Sequence, residues 1–335
     1  MAETAGGGED KLSQSTFAPL AAGFAGALGL EDDCAFLTPP AGEDLVLTTD
    51  AVAEGVHFFS DDLPADIAWK GLAVNVSDLT AKGARPIAYL LSLAFPERPE
   101  QAWLDGFSAG LAEAQAAFGI RLAGGDTDRR PGPLSVTVTA IGSVPQGRMV
   151  RRATARAGDL LFVSGTLGDS ALGLMLRTDP GRAAELGLDT AGANALLGRY
   201  LRPDPPLALA SHLISFATAA MDISDGLVKD CGRLARASGL AAAIDGGRLP
   251  LSRPAREVLD REPRLLAVVA TGGDDYQVLA AVAPDRAEAF RRAAAESGVH
   301  VTEIGRLADG AGVTITGLDG RPLALGATGW DHFPP

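Results

Sequence analysis

The sequence predicts an α/β (α+β) protein of two domains, each mixing helices with sheet, and three observations carry that reading. Its 335 residues exceed a single minimal core and fall within the usual length of two ordinary domains. Several apolar runs stop abruptly at acids or glycines, as strands that end in polar loops do. Elsewhere the apolar residues recur at steps of three and four, the pattern of a helix packed on a sheet.

Taken in order, residues 1–16 are polar with a Gly6-Gly7-Gly8 run and read as a flexible N-terminal arm, with structure beginning near Phe17. Leu45 to Leu47 form a strand that leads into a Thr48-Thr49-Asp50 loop. Residues 66–82 read as a helix with Asp66 as its N-cap and with Asn75, Asp78 and Lys82 on one face. Trp103, Phe107, Leu111, Ala114 and Phe118 make a second helix, stopped by Gly119. Ile120 to Ala123 is a strand running into Gly124-Gly125-Asp126, and Leu134 to Val144 alternates apolar with Ser and Thr as a half-buried strand does. Pro145-Gln146-Gly147 and the basic stretch Arg148 to Arg156 then mark the boundary, so that an N-terminal domain spans 17–150 and a C-terminal domain 151–335. The second domain opens with the strand Leu160 to Ser164, a Gly165 to Gly168 turn and a helix from Asp169, and returns to strands at Gln277 to Val282, Val301 to Ile304 and Val313 to Thr316.

Composition narrows the function. Forty-two acidic against 29 basic side chains give a formal charge of −13, and no basic run supplies the phosphate contacts that nucleic acid requires, so neither nucleic acid nor a membrane surface is an expected partner. Glu3, Glu9 and Asp10 stand where a secretory signal would be basic, and no stretch reaches the about 18 apolar residues of a membrane span. Cys34 and Cys231 are far apart and belong to no metal-binding cluster, which fits a reducing cytoplasm.

The chemistry is carried by short acidic segments: Glu31-Asp32-Asp33, Thr48-Thr49-Asp50, Asn75 with Ser77-Asp78, Gly125-Asp126-Thr127 and Asp222-Ile223-Ser224-Asp225-Gly226. Each alone reads more readily as turn or cap chemistry, and it is the five together that point to a site. Carboxylates gathered together repel one another unless a hard cation holds them, and magnesium, which bridges carboxylates to phosphate oxygens, reconciles an acidic protein with ATP. None of Lys11, Lys70, Lys82 or Lys229 follows a glycine, so there is no P-loop, and the protein-kinase motifs are absent as well. Gly165 to Gly173 reads either as a phosphate cradle at a helix N-terminus or as a tight connection.

In order and over nearly the whole chain beyond its first ~30 residues, these segments resemble those of the thiamine-monophosphate kinase family of the AIR-synthetase-like superfamily. The matching stretches are TTDAVAEGVHF (48–58), KGLAVNVSDLTAKGARP (70–86), AGGDTDR (123–129), SGTLGDSALGL (164–174), MDISDGL (221–227), TGGDDY (271–276) and GWDHF (329–333). The resemblance implies a two-domain AIR-synthetase-like architecture whose N-terminal mixed-sheet domain pairs in a homodimer, followed by a C-terminal α/β domain. It implies several Mg2+ ions among Asp33, Thr48, Thr49, Asp50, Asp78, Asp126, Asp222 and Asp225, with Asp50 and Asp126 the most critical. ATP contacts are implied at Gly125, Arg152 and Ser224, and contacts to thiamine monophosphate at His57, Asp274 and Trp330. The implied reaction is direct in-line transfer of the γ-phosphoryl group of ATP to thiamine monophosphate, with no covalent nucleophile on the protein.

Plainer readings stand beside several of these assignments: a solvated arginine for Arg152, a core histidine for His57 and a C-terminal residue sealing the core for Trp330. His212 and His300 carry no motif. Two positions depart from the family pattern, Glu31 where glycine is usual and Asp274 where glutamate is commoner. Two rival functions are another ATP-dependent enzyme of the superfamily and a nucleotide- or thiamine-phosphate-binding protein that has lost catalysis. Cys34 lacks the Gly-rich setting that a selenophosphate synthetase needs.

Overall fold

The structure, a computed structural model, describes residues 13–332. The chain divides into two compact units, Met1–Leu79 with Arg85–Gly147 and Thr80–Ala84 with Arg148–Pro335.

In the first unit the order is β1 (Glu43–Ala53), helix α1 (Pro64–Ala81), β2 (Arg85–Phe95), α2 (Gln101–Phe118), β3 (Arg121–Arg129) and β4 (Ser135–Pro145). The sheet runs β1-β4-β2-β3, with β2 and β3 parallel and the other neighbours antiparallel. On β4, Val136, Val138 and Ala140 are buried while Thr137, Thr139 and Ile141 are only partly covered, the period of two that separates a packed face from an open one. Leu47 and Leu90 are exposed.

Three sequence expectations are corrected here. The runs expected to stop at Thr48 and Gly124 continue, because Asp50 pairs with Val138 and Asp126 with Ser92, and cross-strand pairing overrides the weak strand preference of Asp and Gly. Helix α1 starts at Pro64, where a missing N–H forfeits no bond, so Asp66 lies in the first turn rather than at the cap; Lys82 falls beyond the helix end. Ser13–Phe17, largely assigned to the flexible arm, form a π-helical turn in which Thr16 is buried and its carbonyl accepts from Ser108 Oγ at 3.1 Å. The remainder of that arm, residues 1–12, lies outside the described residues.

The elements of the second unit include β5 (Leu160–Ser164), α3 (Asp169–Thr178), α4 (Thr190–Leu201), β6 (Ala217–Ile223), α5 (Leu227–Ala237), β7 (Leu240–Asp245), α6 (Arg253–Arg261), β8 (Gln277–Val282), α7 (Ala287–Glu296), β9 (Val301–Asp309) and β10 (Gly312–Thr316). Its strands form a six-stranded mixed sheet of order β10-β7-β9-β5-β8-β6. Both faces are covered. Leu161, Met221, Leu279 and Ile304 pack with Leu172 of α3, Leu234 of α5 and Val258 of α6. On the opposite face Phe162, Ala220, Val278 and Ala280 pack with Phe290 of α7 and Leu213. Burial on both faces explains why β8 is buried at every position and reads as a continuous apolar run after Gln277.

In the first unit α1 and α2 cross where Gly110 of α2 leaves no room for a side chain: a Cβ there would lie 2.4 Å from the Ala65 carbonyl oxygen. Gly110→Ala is therefore expected to lower unfolding free energy by about 1–3 kcal/mol, read from urea midpoints at constant slope. An unchanged midpoint would contradict the close crossing.

Candidate active site

Because side chains alternate along β1, Thr48 and Asp50 point toward α1 and Thr49 toward the open face. The Thr48 hydroxyl donates to Asp78 Oδ2 of α1, and the Asp50 amide donates to Asn75 Oδ1 at 3.0 Å. Asn75 is fully buried and donates to the Gly71 carbonyl at 3.1 Å, so its acceptor is aimed at Asp50 by its own helix. Thr49 instead donates to the Val138 carbonyl at 3.1 Å and lies 3.0 Å from the Thr139 hydroxyl. Thr48, Asp50 and Asp78 are thus brought together, whereas the Thr49 side chain is not part of that set.

Asp33 and Asp126 lie elsewhere in the first unit. Both line an open groove of about 680 Å³ over the sheet, with Leu90 and Ile141 on its floor. Gly125 precedes Asp126 on β3, and a Cβ there would lie 1.9 Å from the Leu91 carbonyl oxygen, so the strand pairing itself requires glycine at this position. His57 is half-buried, and its Nδ1 accepts from the Ala53 amide at 3.1 Å, which places the proton of a neutral ring on Nε2. The buried Lys70 donates to the His57 carbonyl at 2.8 Å.

In the second unit the segment Asp222 to Gly226 leaves β6 and enters α5, and most of the expected residues of that unit converge on it. The Asp274 amide donates to the Ser224 carbonyl at 2.9 Å, the Tyr276 amide to Ile223 at 2.8 Å and the Trp330 amide to Asp225 at 2.9 Å. The loop is held from below by Asp230, fully buried in α5, whose Oδ2 accepts from the amides of Ser224 (3.0 Å) and Asp225 (2.9 Å). Burial raises the Asp230 carboxyl above the usual carboxylate range, although the Asp225 amide and Arg233 oppose the shift. Arg233 bonds Asp230 Oδ1 at 2.8 Å and Asp225 Oδ2 at 2.6 Å; its guanidinium is raised because the two carboxylates outweigh its burial.

Asp274 and Tyr276 have φ of 69° and 49°. Asp tolerates this left-handed region better than most residues, which fits the departure from glutamate, while a tyrosine there is strained and is held by its bond to Ile223. Trp330 is 53% exposed, which removes the core-sealing alternative. Arg152 is exposed, and its carbonyl accepts from Ser238 Oγ at 3.1 Å.

The Gly165 to Gly168 turn carries a different group from the one that a phosphate cradle would hold. Asp275 occupies the N-terminus of α3, accepting from the Gly168 amide at 2.9 and 3.0 Å through its two oxygens. The sequence assigned a role to neither Asp230 nor Asp275, although Asp275 lies within the TGGDDY stretch. For Asp230 a signal existed: an acid in the first turn of a helix can reach back to the leading amides. For the contact of Asp275 with Gly168 there was none, since the two are 107 residues apart.

Magnesium uses oxygen donors, commonly one or two carboxylates completed by water and phosphate oxygens. Thr48, Asp50 and Asp78 in one unit and Asp222 and Asp225 in the other have that chemistry. Among the described residues no three His, Cys, Asp or Glu side chains are grouped to hold an ion alone.

The chain matches the family described as AIR synthase related protein, N-terminal domain, over residues 31–144, and the corresponding C-terminal domain family over 156–317. It is 42% identical over 317 residues to thiamine-monophosphate kinase of Caulobacter vibrioides, covering 94% of this chain and 88% of that one. Among solved structures, thiamine-monophosphate kinase from Stenotrophomonas maltophilia K279a superimposes with a TM-score of 0.79 at 42% identity, over 88% of this chain and 91% of that one. AaThiL complexed with AMPPCP and TMP gives a TM-score of 0.76 at 35% identity, over 90% and 91%.

Burial pushes the Asp275 carboxyl well above its ordinary value, opposed by the Gly168 and Ser170 amides and aided by the charges of Asp169 and Asp274. A folded-state pKa above the unfolded one means that the contribution of Asp275 to stability is full below the unfolded value near about 3.9 and is lost as pH rises through the folded value. Asp275→Asn keeps an acceptor for Gly168, so the stability of the wild type relative to this variant should decline as pH climbs above about 4 in parallel thermal melts. A relative stability that rises with pH would contradict the assignment.

Proposed function

The chain belongs to the thiamine-monophosphate kinase family of AIR synthase related proteins, and we propose that it transfers the γ-phosphoryl group of ATP directly to the phosphate of thiamine monophosphate, yielding thiamine diphosphate and ADP. The observation that carries this reading is the 42% identity to one such kinase extending over 94% of the chain, through both units. Oxygen donors on β1 and α1 and on the Asp222–Gly226 loop support it.

In this reading Thr48, Asp50, Asp78, Asp126 and Asp33 of the first unit and Asp222 and Asp225 of the second hold several magnesium ions, with Thr49 contributing from the opposite face of β1, beside Thr139. Bound magnesium neutralises phosphate charge and stabilises the transferred group. Gly125, Arg152 and Ser224 contact ATP, Arg152 as a fixed exposed cation. His57, Asp274 and Trp330 face thiamine monophosphate: an aromatic face suits the cationic thiazolium and a carboxylate suits the aminopyrimidine. The acceptor phosphate is already ionised, so no side chain has to act as a strong base, and the work of the protein is positioning and charge neutralisation.

We also assign a homodimer formed through the open face of the first unit's sheet, on the support of exposed Leu47 and of exposed Leu90 on the floor of the groove. The compartment we assign is the cytoplasm. Cys34 is exposed and Cys231 is buried, its thiol pushed up to about 12 by burial and the charge of Asp230, and neither forms a disulfide. No helix among the described residues is long and apolar enough to cross a membrane.

Incubation with ATP, Mg2+ and thiamine monophosphate should yield ADP and thiamine diphosphate in equal amounts, abolished by EDTA. ATP binding without thiamine diphosphate would refute the reading. Asp50→Asn and Asp126→Asn should each lower kcat by roughly two orders of magnitude or more with melting temperature nearly unchanged; near-normal turnover of both at saturating Mg2+ would remove them from the site.

A further inference from the structure

Lys229, in the first turn of α5, belongs to none of the roles assigned above, yet it joins two residues that do. Its Nζ lies 3.3 Å from Asp225 Oδ2 and donates to the Trp330 carbonyl oxygen, with Asp331 Oδ2 at 3.9 Å. The side chain is only 20% exposed, so these contacts are partly screened from water. The Trp330 amide closes the ring of contacts on the Asp225 carbonyl. Gly329 makes the approach possible: a Cβ there would lie 2.5 Å from that carbonyl oxygen and 2.6 Å from Lys229 Cβ.

The indole of Trp330 is more than half exposed and meets the His332 ring edge-on at 5.9 Å, so no core fixes it. Its placement has to come from backbone tethers, and both of those described lead to Asp225 and Lys229. We infer that Lys229 is a positioning residue for the acceptor substrate, holding the Gly329–Asp331 segment on the Asp222–Gly226 loop so that the Trp330 face is presented to the thiazolium. The inference rests on the reading that Trp330 faces thiamine monophosphate. Arg233 is the second cation on Asp225, but its other partner is Asp230, so loss of Lys229 leaves Trp330 with its amide tether alone while Asp225 stays paired.

The test uses Lys229→Met, which keeps the stem and removes the charge, beside Lys229→Arg. With 5-fluorotryptophan in the three Trp positions and the Trp330 line assigned through Trp330→Phe, only that line should move in the Met variant. By calorimetry, the Kd for thiamine monophosphate should rise roughly tenfold, as for one lost charge-assisted hydrogen bond, while that for AMPPCP with Mg2+ changes little; Lys229→Arg should recover part of the loss. An unmoved Trp330 line overturns the tether. A moved line with unchanged thiamine-monophosphate affinity, or equal weakening of both ligands, overturns the positioning role. Weakened binding in a protein whose wild type forms no thiamine diphosphate supports the tether and sinks the kinase reading instead.

Discussion

Asp230 exchanges water for the amides of Ser224 and Asp225, and a carboxylate buried in this way is tolerable only because Arg233 and those amides compensate it. From this one desolvated group the geometry of the second unit's site follows outward. With the amides of Ser224 and Asp225 turned inward, their carbonyls are left for Asp274 and Trp330, so the residues expected to face the acceptor hang from the loop that carries Asp222 and Asp225. On the proposed reading, the magnesium and acceptor contacts of this unit thereby share one frame, a useful property for a reaction between two phosphates whose barrier is lowered mainly by placement.

The first unit reaches a comparable result by a different route. There the donors sit on regular structure: Thr48 and Asp50 project from one strand, Asp78 from the helix above it, and Asn75 fixes the strand backbone to that helix. Regular elements hold such groups more rigidly than free loops do. The same strand alternation sends Thr49 to the opposite face, where it meets Thr139 of the neighbouring strand.

Much of this was legible in the sequence because the signals were local. The periodicity of α2 and its stop at Gly119, the alternation of β4 and the acid-rich segments each follow from residues close together along the chain. Thr48-Thr49-Asp50 and Gly124-Gly125-Asp126 were misread as loops for a physical reason, since composition alone favours a turn and only the pairing of Asp50 with Val138 and of Asp126 with Ser92 keeps the chain extended. The Asp222–Gly226 segment was legible as a chemical segment, but its role as a hub was not. Its partners Asp274 and Trp330 arrive from distant parts of the sequence, as does Asp275 beneath Gly168, and no spacing rule links them.

Amide hydrogen exchange in the ligand-free protein, compared between the wild type and Asp230→Asn, tests most directly whether this loop is the frame on which the second unit's site is built. The predicted result is faster exchange at Ser224, Asp225, Asp274 and Trp330 together, with the Gly168 amide, held by Asp275, unchanged as an internal control. Faster exchange confined to Ser224 and Asp225, with Asp274 and Trp330 still protected, would contradict it.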